Sequence, residues 1–475
     1  MKQMLPKKLT VAGFNAYAIT DPSSKLVYAC AVIRGGFYSE FSDNESGINH
    51  LFEHILTESW KRCAPSRTKK TNCQQYWSER PAQYNARTTP HTVAYYITGL
   101  DTERDEILNY ISQIISDPQF DLKIIENEKK AVLNELTIMQ NNPSHALSHA
   151  IFSHIVSEES GLRNKTNIQL QIDNLTRITP EQIVQYHARF YNSNNVTFFF
   201  SGNVTYGQIT TVLSRNLGTI SHRRDTHTPK SPKSPKSPKS LNSTNPEVAL
   251  IQPDKVTNPA FEPFTKNEPP NKLSEFPIFI RNDAAKNSEF IICIPARQSR
   301  ETKNIILNRN HFFLCASIAQ TELNELLRKK HELVYGITVQ SYASTRSNYI
   351  ILNGSCQDAD VMRVIKLCLQ YFTNRAAHSA PDKIISAAKG RIKLGEYNTI
   401  RTAADLMQFY EGFFIFFLQI WGETPVDKLV IPFEPPEKTL KYFTNATGTD
   451  MMNQFKGFDV SRAVYGYIGK YKHKK

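Results

Sequence analysis

Two blocks of patterned sequence flank a stretch that carries no pattern. In the first block, apolar runs rich in β-branched and aromatic residues at 15–20, 26–33, 92–99 and 196–201 predict strands. Between them, apolar residues recurring every three to four positions predict helices over 46–62, 103–116, 122–140 and 179–189. The second block opens with strands at 277–281 and 290–295 and a helix over 312–330. It continues with strands at 336–343 and 348–355 and helices near 358–374, 381–397 and 402–420. The similar order points to a duplicated α+β unit, with one copy in residues 1–220 and the other in 273–475.

The stretch between them, 221–272, holds four consecutive Pro-Lys-Ser repeats and then a segment rich in Asn, Pro and Thr. Repeated proline disfavours helix and sheet, and like charges extend the chain further, so a disordered linker is expected. Ser231, Ser234 and Ser237 each precede a proline, and phosphates there would reverse the local charge.

Composition removes several function classes. The net charge of +13 could suggest nucleic acid, but residues 222–240 supply +5 of it and Lys470, Lys472, Lys474 and Lys475 another +4. The folded body is therefore only mildly basic, and no nucleic-acid face is required. The most apolar run, Phe413–Leu418, is too short to span a bilayer and reads as a buried helix face. No signal peptide or presequence is visible from Met1 onward. Seven cysteines, an odd number without a Cys-x-x-Cys, predict free thiols in a reducing compartment. The cytoplasm is the expected location. The Lys-, Asn- and Ile-rich composition points to an AT-rich genome, of a protist or a large DNA virus, and in the viral case to the host cytoplasm.

Chemistry concentrates in Gly47-Ile-Asn-His50-Leu-Phe-Glu53-His54-Ile-Leu, which contains His-x-x-Glu-His. Residues three and four apart share a helix face, so both imidazoles can reach one cation with a carboxylate beside them. Ile48, Leu51, Phe52, Ile55 and Leu56 supply the apolar stripe, Asp43 or Ser46 is placed to cap the start, and Gly47 suits a close packing contact. A hydrolytic metal site takes a third protein ligand. The predicted helix over 122–140 offers Glu128 and Glu135, two turns apart on one face. One can bind the cation while the other orients an imidazole.

With these residues in hand, the chain resembles the pitrilysin-like metallopeptidases, which include insulin-degrading enzyme and the mitochondrial processing peptidases. In that family His-x-x-Glu-His is followed about eighty residues later by a helix bearing Glu-x6-Glu; here eighty residues lie between His54 and Glu135. The resemblance implies His50, His54 and Glu135 as ligands of one Zn2+, Glu53 as general base and Glu128 as the carboxylate that supports a ligand. Tyr84-Asn85-Ala86-Arg87-Thr88 looks like the family's asparagine-alanine strand, which makes Asn85 and Ala86 substrate-binding residues. Arg328 and Tyr335 resemble the Arg-x6-Tyr element that reaches the scissile carbonyl from the second half. Phe190 to Val204 looks like the element that closes the first domain. The implied fold is two homologous domains of α/β-sandwich type, each an antiparallel-rich sheet with packed helices. They face each other across a cleft, and the first is active and the second inactive.

The expected activity is therefore zinc-dependent endopeptidase action on peptides or unfolded polypeptides. The alternative is a non-catalytic structural or processing-complex subunit of the same family. The partners expected are a peptide or protein substrate and no membrane, and the resemblance also allows a homo- or hetero-dimer. His145 and His149 are four apart, but no carboxylate shares their face, so a packing or surface role is expected, as for His154. No role falls to His91 or His187.

Overall fold

Apolar runs without alternation, such as Val196–Gly202, become strands buried on both faces. The structure is a computed structural model describing residues 4–40, 43–63, 72–160, 167–226, 277–296, 305–343, 348–420 and 431–472. The first sheet comprises β1 (Lys7–Val11), β2 (Phe14–Thr20), β3 (Leu26–Arg34), β4 (Ala82–Thr88), β5 (Thr92–Leu100) and β6 (Val196–Gly202). Its order is β1-β2-β6-β3-β5-β4, antiparallel except for β2 and β6. The helices of this half are α1 (Ile48–Glu58), α2 (Cys73–Ser78), α3 (Arg104–Ser116), α4 (Leu122–Asn141), α5 (Pro143–Ser160), α6 (Ile168–Leu175), α7 (Pro180–Phe190) and α8 (Tyr206–Thr226).

The second sheet comprises β7 (Ile278–Arg281), β8 (Ser288–Ala296), β9 (Val334–Ala343), β10 (Asn348–Cys356) and β11 (Val464–Gly469). Its helices are α9 (Ile305–Leu323), α10 (Val361–Ala377), α11 (Asp382–Thr399), α12 (Ala403–Ile420), α13 (Pro436–Thr444) and α14 (Gly448–Lys456). The order β7-β11-β8-β10-β9 repeats β2-β6-β3-β5-β4, including the single parallel pair at the same place. The duplicated α+β architecture expected from the pattern is thus present strand for strand.

The two halves exchange helices. One face of the first sheet packs on α1 and α3 around Ala29, Ala31, Ile55 and Ile111. Its other face, lined by Tyr17, Tyr28, Val32 and Phe199, is covered by α12 from the second half through Met407, Tyr410, Phe414 and Phe417. Reciprocally, Leu147 and Ile151 of α5 cover Cys293, Tyr349, Val464 and Ile468 on the second sheet. The Phe-rich run at 413–418 is the buried helix face expected of it, and it is buried against the other half.

Three details depart from the pattern reading. The helix expected at 312 begins at Ile305, and its last turn loosens into a π-helix over Asn324–Lys330. Helix α8 continues to Thr226, six residues into the expected linker, and residues 227–272 lie outside the described part of the chain, as do Ser231, Ser234 and Ser237. The C-terminal strand β11, in a region without recognisable pattern, fills the interior of the second sheet between β7 and β8. All seven cysteines are buried and free. Among the described residues no helix is long and apolar enough to cross a membrane.

Phe414 packs edge-on to Phe199 with ring centroids 5.2 Å apart and is 1% exposed. Phe414→Ala should therefore destabilise the first half, although the residue belongs to the second, by about 3–5 kcal/mol. Urea unfolding followed by the fluorescence of Trp60 and Trp77 measures this.

Candidate metal centre

Helix α1 starts from an unusual cap. Gly47 has φ of 93°, a conformation that other residues adopt only with strain, and a Cβ there would stand 3.3 Å from Gln171. The Asp43 side chain lies outside the described residues, and Ser46 does not cap the helix. The buried carboxylate of Glu40 does, accepting the Gly47 N–H at 3.1 Å and the Asn49 N–H at 3.2 Å. A negative charge at this end also matches the helix dipole. Asn49 Nδ2 donates to the Gly36 carbonyl at 2.8 Å, and the Tyr186 hydroxyl donates to Asn49 Oδ1. The residue before His50 is thus held from three directions.

From this start, Ile48, Leu51, Phe52, Ile55 and Leu56 turn into the core. His50, Glu53 and His54 remain half-buried on the opposite side. Helix α4 lies alongside α1, anchored by Ile124, Ile125, Val132 and Leu136. Its register brings Glu128 and Glu135 to the two imidazoles. Glu135 Oε2 lies 3.4 Å from His50 Nε2 and 3.6 Å from His54 Nε2. On its far side, His54 Nδ1 lies 3.3 Å from Glu128 Oε2. A proton on Nδ1 is then directed at Glu128, which leaves Nε2 as a lone-pair donor toward Glu135.

The donor set fits a cation. Three ligand atoms on a tetrahedral zinc at about 2.0–2.2 Å stand about 3.3–3.6 Å apart. The ligand atoms of His50, His54 and Glu135 lie within 4.8 Å of one another, the only such group among the described residues. Two imidazoles and one carboxylate leave the fourth position of a tetrahedron open, as in hydrolytic sites.

Electrostatics tune each group differently. Burial holds His50 below its ordinary pKa, helped by the neighbouring His54 and opposed by Glu135. Burial alone would lower His54 as well, but Glu128, Glu135 and Glu53 outweigh it and raise it. Glu53 is pushed up by burial, against the opposing influence of Thr88 and His54. Thr88 on β4 is the polar neighbour that opposes this rise most, although its hydroxyl closes no hydrogen bond.

Strand β4 is the edge of the first sheet nearest this cluster, packed on α1. Asn85 is exposed on it, and its Oδ1 accepts the Ala86 N–H at 2.8 Å. Ala86 faces the α1 layer. In the second half, Arg328 sits in the π-helical turn with its guanidinium 5.2 Å from the centre of the Tyr335 ring, and Tyr335 is 85% exposed at the start of β9. These two come together with each other. Among the described residues neither bonds to the His50–His54–Glu135 cluster. His145 is exposed on α5. His149 lies on the same helix, with His154 Nδ1 near the Ala150 carbonyl. His187 packs with Phe52 and Tyr191 and faces the Ile115 carbonyl through Nε2.

The pattern reading missed Glu40, Thr88 and the pair Arg87–Glu411. Glu40 lies seven residues before Gly47, beyond the reach of ordinary cap motifs. Glu411 is 324 residues from Arg87, so only the helix exchange joins them.

Two family descriptions match the sequence: "Insulinase (Peptidase family M16)" over residues 16–165 and "Peptidase M16 inactive domain" over residues 177–392. The chain belongs to peptidase family M16. The first match contains the whole His-Glu cluster. The second contains Arg328 and Tyr335 and begins at 177, before the first sheet is complete. An uncharacterized zinc protease of Rickettsia felis is 23% identical over 211 residues, which is 44% of this chain and 48% of that protein. The β subunit of the mitochondrial-processing peptidase of Dictyostelium discoideum is 21% identical over 168 residues, 35% of this chain and 34% of that one. The aligned part spans less than half the length of either relative. In fold, the M16 chain is similar to a peptidase M16 inactive domain from Pseudomonas fluorescens, at 12% identity and a TM-score of 0.71 over 99% of both chains. It is also similar to the first half of the periplasmic protease PqqL of Escherichia coli, at 13% identity and a TM-score of 0.65 over 99% of this chain and 92% of that one.

The raised Glu53 has a consequence for stability. A carboxyl whose folded pKa lies above its unfolded value costs nothing below the unfolded value, destabilises increasingly as pH rises from there, and does so fully once pH has passed the folded value. In chelator-treated M16 protein, Glu53→Gln should therefore raise the thermal midpoint at pH 7, and the gain should shrink as pH falls toward about 4.5. Calorimetry from pH 4 to 8 reads this. A pH-independent change would contradict it.

Proposed function

We propose that this chain is a zinc metalloendopeptidase that hydrolyses peptides or unfolded polypeptides. The observation that carries the reading is the convergence of His50, His54 and Glu135 beside Glu53 and Glu128 at the distances above. His50, His54 and Glu135 would hold the ion. When bound, zinc supplies a Lewis acid for the scissile carbonyl and acidifies water. Glu53 takes the proton of the attacking water and passes it to the leaving amine, a task suited to a carboxyl whose pKa burial has raised. Glu128 holds the Nδ1 proton of His54 and so fixes its tautomer and ring direction.

Substrate would lie along β4 as an added strand, with Asn85 and Ala86 supplying the exposed edge. Pairing through the backbone demands little of the substrate's sequence, which suits broad use of unfolded chains. Arg328 and Tyr335, paired with each other, would stabilise the developing oxyanion where the second half meets the substrate. In this scheme residues 1–220 are the catalytic domain, 273–475 the inactive one and 221–272 the linker between them. Seven buried free thiols suit a reducing compartment such as the cytoplasm.

A non-catalytic subunit of the same family is the second reading. A chain of Complex III2 from Candida albicans shares the fold, at 12% identity and a TM-score of 0.65 over 98% of this chain and 95% of that one, so the fold by itself does not require catalysis. The complete donor set weighs against it.

Glu53→Gln should retain stoichiometric zinc but lose peptidase activity on the order of 10²–10⁴-fold. Elemental analysis and digestion of a peptide library, with and without chelator, measure both. His54→Ala and Glu135→Ala should lose the zinc itself. A folded native preparation that takes up no zinc would favour the structural subunit.

A further inference from the structure

Among the described residues, the strand that carries Asn85 and Ala86 is bonded through its backbone on one side only, to β5. Something else must fix how far it stands from α1. Its side chains alternate. Tyr84, Ala86 and Thr88 turn toward the α1 layer, where Tyr84 and Ala86 join the first core and the Tyr84 hydroxyl donates to Glu58 Oε1 of α1 at 2.9 Å. Arg87 turns to the opposite face, where α12 of the second half lies. There its Nη2 donates to Glu411 Oε1, while the Tyr28 hydroxyl donates to Glu411 Oε2. The Glu411 side chain is 2% exposed. The Arg87 guanidinium also stands 5.8 Å from the centre of the Tyr96 ring.

We infer that Arg87 and Glu411 are positioning residues for the site: their ion pair clamps β4 to α12 and so sets how β4 stands against α1, the helix that carries Glu53. The inference rests on the reading of Glu53 as the general base. Stability alone does not account for the pair. Desolvating the buried Glu411 carboxylate offsets much of the attraction, the Arg87 side chain stays 46% exposed, and an apolar pair of similar volume would hold the layers together as well. What an ion pair adds is a fixed direction and distance, here from a strand through Arg87 to a helix supplied by the other half. A residue displaced by a fraction of an ångström beside the reacting atoms costs rate without unfolding the protein.

The test uses the full chain. Glu411→Gln, Arg87→Met and the double variant are compared with the native protein in kcat on an internally quenched peptide with zinc present, in thermal midpoint, and in hydrogen–deuterium exchange of the amides at 82–88. The single variants should lose both stability and rate. The double variant, with no charge left unpaired, should regain most of the native midpoint, yet keep kcat lowered on the order of tenfold to a hundredfold and exchange at Thr88 faster than native. Arg87→Lys, which keeps the charge, should recover part of kcat. Native kcat and native exchange in the double variant would overturn the inference and leave the pair as packing. Should the native chain cleave no peptide, the reading of Glu53 fails by itself, and the exchange comparison still decides whether the pair holds β4.

Discussion

Each sheet in this protein has two apolar faces, and its own half covers only one of them. That constraint organises the rest. The face formed by Tyr17, Tyr28, Val32 and Phe199 would be open to water without α12, and the face around Cys293, Tyr349 and Ile468 would be open without α5. Burying apolar surface is worth about 25 cal/mol per Å², so two bare sheet faces are a strong drive for the halves to exchange helices. The exchange fixes the halves to each other without a continuous sheet and without a disulfide.

The candidate metal centre sits on the conventionally packed face, and its geometry is set by rigid neighbours. Glu40, Gly36 and Tyr186 hold the first turn of α1 through Gly47 and Asn49. The apolar stripe of α1 and the buried residues of α4 then determine how far His50 and His54 stand from Glu135. Because these helices are buried on their other faces, the backbones that carry the cluster are held in place, although the Glu135 side chain is itself half exposed. This is the preorganisation that a hydrolytic centre requires. The same low-dielectric surroundings push Glu53 up, the direction that the proposed general base would need.

The topology repeats but the chemistry does not. β7-β11-β8-β10-β9 follows β2-β6-β3-β5-β4, and α9 precedes β9 as α1 precedes β4. Yet α9 carries no His-x-x-Glu-His, and its end unwinds into the π-helical turn that presents Arg328. One copy of the unit keeps the donor atoms, while the other offers a cation and an exposed tyrosine.

Local periodicity was enough to locate most strands and several of the long helices, though not α8, because a residue's tendency to face the core is written in its spacing from its neighbours. The same spacing put His50 and His54 on one face and Glu128 and Glu135 on another, and the resemblance to a known family joined the two. What spacing could not carry was anything that depends on two distant segments meeting. The true cap of α1, the nearness of Thr88 to Glu53, the covering of the first sheet by α12 and the pair Arg87–Glu411 all join residues whose separation along the chain leaves no local trace. The C-terminal strand β11 lacked a legible pattern because neighbours on both sides, and not its own sequence, specify its place between β7 and β8. The sequence by itself determined the donor atoms and the elements that carry them, since both follow from short-range geometry. Only the tertiary structure decided the distances between those donors and the partners that hold them, since these follow from which apolar faces must be buried together.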